Sequence, residues 1–185
     1  VAADKDITLS GAITNNTNGN TLTLMSSRDI VISSNISGAA GKSLSTYFYA
    51  NTDNNGSGGY NQTAAISNFG GNVFIGGGSK DTTAGCAALF NCMAGYANGD
   101  NGLGIGLGIT GSINAAGGNI TLNGLGSMTN TTSADGIRIT GSGGAGLTTS
   151  GTGTMTLNGV STGGHNGIRI VSANLVGGSG LITLT

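Results

Sequence analysis

The sequence predicts an all-β chain wound as a parallel β-helix. Three observations carry this. First, DITLSGAITNNTNGNTLTLMSSR (6–28) runs straight into DIVISSNISGAAGKSLSTYFYAN (29–51), and the two copies align. Asp6 falls on Asp29, Ile7 on Ile30, Leu9 on Ile32, Ile13 on Ile36, and Leu22 near Leu44, at a spacing of about 23 residues typical of stacked repeats. Second, an apolar-Thr-apolar triplet recurs as LTL, ITL, MTL and ITL. Alternating side chains put the two apolar residues on one face and the threonine on the other. Third, the composition favours short strands and turns. Of 185 residues 38 are glycine, none is proline, and only 7% are charged. Glu is missing, and Gln, Lys and Arg are scarce, so long exposed helices are not expected.

Each unit reads as three strands, a, b and c. Strand a is Ile7-Leu9 in the first unit and Ile30-Ile32 in the second. It recurs around Leu107 and Ile109, Ile137 and Ile139, and Ile168 and Ile170. Strand b centres on one aliphatic residue: Ile13, Ile36, Ile66, Ile113, Leu147 or Leu175. Strand c holds Leu22-Leu24, then Leu44 onward, Val73-Ile75, Ile120-Leu122, Met155-Leu157 and Ile182-Leu184. The third unit shows no apolar triplet for strand a, which must come from the stretch before Ile66. This gives about six three-strand coils in one domain, 1–185, with unequal lengths. Loop insertions are expected at about 48–64 and 76–104. One such strand cannot bury its apolar face alone; stacked coils make a continuous core.

Charge excludes some functions. The net charge is −1, and the six Lys and Arg are scattered singly, leaving no basic stripe for nucleic acid. No apolar run is long enough to span a membrane. No charged n-region with an apolar h-region opens the chain, which starts inside a repeat at VAADKDITLS and stops in strand c at LITLT. The expectation is a mature or excised segment of a longer rod, or a unit on which copies stack at both ends.

Cys86 and Cys92 stand in GCAALFNCM, without the ligands a zinc site needs and with the wrong spacing for a thioredoxin-type pair. A local disulfide in an oxidising compartment is the favoured reading; two buried free thiols are the alternative.

Parallel β-helices can also be enzymes. Glycoside hydrolysis calls for two carboxylates, and the best aligned pair is Asp6 and Asp29. Their expected role is turn capping rather than catalysis. Arg138 and Arg169 repeat in GIRI and should stack on an outer face, where an anion could sit, with Asp135 close in sequence. His165 in GGHNG reads as a solvated turn residue. NTDNNGSGG has the alternation of a calcium loop at Asp53, Asn55 and Ser57, but Ala64 stands where the bidentate Glu belongs. GLGIGLGIT lacks the helix of a phosphate loop and reads as strand a. No catalytic, cofactor or metal site is assigned.

Tyr47, Phe48, Tyr49, Tyr60 and Phe69 gather most of the aromatics near one coil. Tyr47 and Tyr49 are candidate ligand contacts, with packing over the core and an insertion as the alternative. Thr23, Thr121, Thr156 and Thr183 form a ladder broken by Ser45 and Phe74, too irregular to order water. The glycosylation sequons at Asn15, Asn35, Asn55, Asn61, Asn119 and Asn130 are what so much Asn, Ser and Thr gives by chance. Asn55 and Asn61, in an expected loop, are the best acceptors.

The phrases GSINAAGGNITLNG, GTGTMTLNG, DITLSGAIT and DIVISSNIS resemble the exported adhesins of the two-partner secretion type, including filamentous haemagglutinin-like proteins and high-molecular-weight adhesins. The resemblance covers nearly the whole chain apart from about 48–64 and 76–104. The family's N-terminal secretion signature does not stand in this sequence. The resemblance implies a right-handed β-helix, secretion or display at the cell surface, and asparagine-linked sugars in some members; that the chain is not an enzyme is expected from the residues, which show no acidic or Lys/Arg cluster for one groove. It implies a structural or adhesive segment of a bacterial surface fibre that presents side loops to host-cell or surface glycans and proteins. The alternative is a self-assembling filament subunit whose partners are neighbouring copies. A carbohydrate-active enzyme comes third.

Overall fold

The computed structural model describes residues 1–53, 58–77, 96–99, 104–127, 134–141, 146–161 and 164–185. Every regular element among them is a strand, and all strand pairs are parallel apart from a single antiparallel bridge between Gly58 and Asn98. Each coil contributes one strand to each of three sheets, giving a parallel β-helix of six coils.

The a strands are Ile7–Leu9, Ile30–Ile32, Tyr60–Gln62, Leu107–Ile109, Ile137–Thr140 and Ile168–Val171. The b strands are Ile13–Asn15, Ile36–Gly38, Ile66–Ser67, Ser112–Asn114, Gly146–Thr148 and Asn174–Val176. The c strands are Asn20–Ser26, Leu44–Ala50, Val73–Gly77, Ile120–Leu125, Met155–Val160 and Ile182–Leu184. Ala2–Ala3 adds a short strand beside the first c strand. At one strand spacing per coil the stack is about 29 Å long.

Five inward columns build the core. The b column runs Ile13, Ile36, Ile66, Ile113, Leu147, Leu175, as the repeat predicts. The missing third a strand is Tyr60–Gln62, and both its inward residues are buried. Tyr60 and Gln62 take positions that are aliphatic in every other coil. The Tyr60 ring stacks on Phe48, with centroids 5.8 Å apart.

The second c strand is shifted from the expected alignment. Leu22 pairs with Thr46 and Leu24 with Phe48, while Leu44 pairs with Asn20. The cause is the core: Thr46 fills an aliphatic position, its hydroxyl accepting from Asn68 Nδ2 at 3.1 Å. The outer column on this sheet is therefore Thr23, Tyr47, Phe74, Thr121, Thr156, Thr183, and Tyr47, not Ser45, interrupts the threonines.

The GG-N-apolar motif before strand c has a structural reason in 116–120. Ala116 and Gly117 turn the corner in the left-handed region, at φ 47° and 106°. Gly118 lies against the coil below, where a Cβ would sit 2.1 Å from the Gly71 carbonyl oxygen. Asn119 Oδ1 then accepts the Thr154 N–H of the coil above at 2.8 Å, and Asn72 does the same for Asn119 N–H at 2.9 Å. These two rungs pin the corners of the third, fourth and fifth coils together.

Coil length varies mainly at one corner. The connections from c to the next a are 27–29, 51–59, 78–106, 126–136 and 161–167. The longest begins as Gly77 leaves strand c and returns at Tyr96, whose carbonyl oxygen would lie 2.1 Å from a Cβ on Gly77. Ala97–Asn98 then resumes the interrupted strand beside Gly124 and Leu125. Its path rejoins the core earlier than the expected boundary at 104.

Candidate functional site: two outer faces

The a sheet turns one column outward: Thr8, Val31, Asn61, Gly108, Arg138, Arg169. The expected stacking of Arg138 on Arg169 is present, in direct register. Both guanidinium groups lean toward Asp135. Arg138 donates through Nε to Asp135 Oδ2 at 2.6 Å, with Nη2 also at 2.6 Å. Arg169 Nη1 stands 3.8 Å from the same oxygen. Asn166 donates its backbone N–H and its Nδ2 to Asp135 Oδ1, each at 3.2 Å.

Asp135 is 1% exposed, whereas Arg138 and Arg169 are 24% and 49% exposed. Burial alone would raise its carboxyl pKa. The hydrogen bonds from Arg138 and Asn166 and the charge of Arg138 outweigh that and hold it below the usual carboxylate range. Asp135 is thus ionised at neutral pH and organises the pair. Of the two guanidiniums, Arg169 is the more loosely held and the more exposed.

Beside the arginines the column loses its side chain at Gly108. A shallow open notch of about 110 Å³ lies there, lined by Tyr60, Asn61, Ile105 and Gly108. Gly106 N–H donates to the Asp135 carbonyl at 3.2 Å, which brings the ion pair alongside Ile105.

The c sheet carries the aromatic candidates. Tyr47 and Tyr49 point outward, and Tyr49 packs against Phe74 with centroids 5.1 Å apart. Met25, paired with Tyr49, extends the patch. Burial first, and then the neighbouring Tyr47, raise the pKa of the Tyr49 hydroxyl, so it stays neutral. The tyrosines and the arginines therefore stand on different sheets. They are two surfaces, not one site. Phe48 and Tyr60, grouped with them by sequence, are inside.

Asp6 and Asp29 serve the corner. Asp6 pairs with Arg28 at 2.8 Å and accepts Asp29 N–H at 3.2 Å; Asp29 accepts Gly59 N–H at 2.9 Å. Asn61 lies on strand a and not in a loop, while Asn119 is occupied with Thr154. His165 sits half-buried at a bend. Cys86, Cys92 and Asn55 lie outside the described residues. Among the described residues no group of three His, Cys, Asp or Glu is placed to hold a metal, and no helix is long and apolar enough to cross a membrane.

Sequence reasoning missed the notch and the central place of Asp135. The signal for the second was Asp135 three residues before Arg138, followed by Asn166 three before Arg169. No family model matches the chain, and neither curated proteins nor solved structures give a match.

Proposed function

We propose that this chain is a structural and adhesive segment of an exported bacterial surface fibre, of the filamentous haemagglutinin-like kind passed through two-partner secretion. The observation that carries the reading is the placement of its length variation. Three core strands repeat in fixed register, while the c-to-a connections range from 27–29 to 78–106 at one corner. In this reading a stack whose length varies along one edge presents its extra residues in a row. Weak contacts by several such stretches to host-cell or surface glycans and proteins add by multivalency. In this reading the coil is right-handed, as parallel crossovers nearly always are, the chain acts outside the cell, and it is not an enzyme.

The test uses the longest loop. Ile75 pairs with Leu122 and Ala97 with Gly124, so excising 77–96 and joining Gly76 to Ala97 restores one continuous strand in register. The deletion chain should melt as the parent does and lose binding to the host cells or glycan surfaces that the parent recognises. Undiminished binding would sink the display reading.

The second reading is a filament of stacked copies, and the exposure of the two end coils bears equally on it and on a longer fibre. The last coil leaves Leu184 52% exposed, although Leu157 below it is fully buried. Ile7, Leu9, Ile13 and Leu22 at the other end are only partly buried. Further coils, or a second copy in the same register, would cover both. Light scattering of the purified chain separates these: growth with concentration favours stacked copies, and a constant monomer favours the fibre segment.

A further inference from the structure

We propose that the Gly108 notch and the two arginines beside it bind one sugar ring bearing a carboxylate, a hexuronate. This holds whether or not the chain is part of a fibre. The outer a column has a side chain at every position except Gly108. Asn61 and Arg138 flank the gap, about 10 Å apart at two strand spacings, room for a pyranose ring with its exocyclic groups. The floor is glycine backbone and the wall is Ile105, both suited to the C–H face of a sugar. Asn61 Oδ1 stands 3.5 Å from where a Gly108 Cβ would be, so its amide borders the notch and can meet ring hydroxyls.

Arg169 asks for an anion. Asp135 already uses Oδ2 for Arg138 and Oδ1 for Asn166. Arg169 at 3.8 Å is too far from it to hydrogen-bond and is half exposed. A carboxylate from outside completes this pairing, and guanidinium groups suit it geometrically. The arginines select the acid; the notch selects the ring.

Two variants separate these parts. Gly108→Thr fills the notch at little cost, because a Cβ there meets Asn61 Oδ1 at 3.5 Å and Tyr60 O at 3.8 Å, both ordinary contacts. Arg169→Gln removes the half-exposed charge. Methyl β-glucuronide, methyl β-glucoside and sodium sulfate are titrated separately, and amide shifts are followed by NMR. The glucuronide should shift Asn61, Gly108 and Arg138, and the glucoside should bind at least tenfold more weakly. Gly108→Thr should melt no lower than the parent and lose at least tenfold in glucuronide affinity; Arg169→Gln should lose at least threefold. No shift in the parent, or unchanged affinity in Gly108→Thr, overturns the site. Sulfate binding as tightly as the glucuronide overturns the sugar and leaves a plain anion site. None of these failures touches the fibre reading, which the 77–96 deletion tests separately.

Discussion

Tyr60 donates its hydroxyl to Gln62 Oε1 at 3.0 Å, two residues away on one strand, inside the core. Gln62 Nε2 in turn donates to the Ala64 carbonyl at 2.8 Å and the Ser112 carbonyl at 3.0 Å. A polar pair thus occupies two aliphatic columns with its hydrogen bonds made, and burial raises the Tyr60 pKa well above normal, so it stays neutral. Tyr60→Phe keeps the stack on Phe48 and strands Gln62 Oε1. It should cost about 1–3 kcal/mol, read as a lower midpoint in chemical denaturation with an unchanged slope.

That pair marks where the sequence could be read and where it could not. Columns filled by Ile, Leu and Val announced themselves: the whole b column and five of six a strands were legible. Tyr60–Gln62 was not, because its inward residues are polar in composition and satisfied only by tertiary contacts. In LSTYFYA the alternation set the inward face, yet Thr46 in an aliphatic slot hid the register by two residues. GIRI foretold the arginine stack. GLGIGLGIT hid the notch, because which glycine faces outward depends on the pairing of Gly108 with Asn61 and Arg138.

Glycine at the corner is required by space. Gly118→Ala drives a methyl into the Gly71 carbonyl and should cost about 1–3 kcal/mol. Gly11→Ala is the control, with nothing within 4 Å and no positive φ. It should be neutral or stabilise by about 0.4–1 kcal/mol. Thermal melts of the two variants should move apart.

The Asn119 rung should behave like a cap. Its side-chain oxygen accepts both the N–H and the hydroxyl of Thr154, at 2.8 and 3.0 Å. Asn119→Ala should cost about 1 kcal/mol, and amide hydrogen exchange at Thr154 should quicken more than at Thr156.

Asp135 gives a pH dependence of defined sign. Its carboxyl pKa is lower in the folded chain than in the unfolded one. The stabilisation is complete above the unfolded value of about 3.9 and is lost as pH falls through it toward the lower folded value. Asp135→Asn should remove this acid sensitivity and cost about 1–3 kcal/mol at neutral pH. Denaturation midpoints at pH 7 and pH 3 should converge between parent and variant as pH falls.

The central claim is that residues far apart in sequence stack at one strand spacing per coil. Spin labels test it directly, in a background with Cys86→Ser and Cys92→Ser. One label is fixed at Thr14 and the other placed at Asn114 or Val176, three and five coils along the same outer column. The backbone separations should be about 14 Å and about 24 Å. Dipolar distances that lengthen from Asn114 to Val176 by about two strand spacings would bear out the coil stack. Equal distances, or a shorter one to Val176, would contradict it.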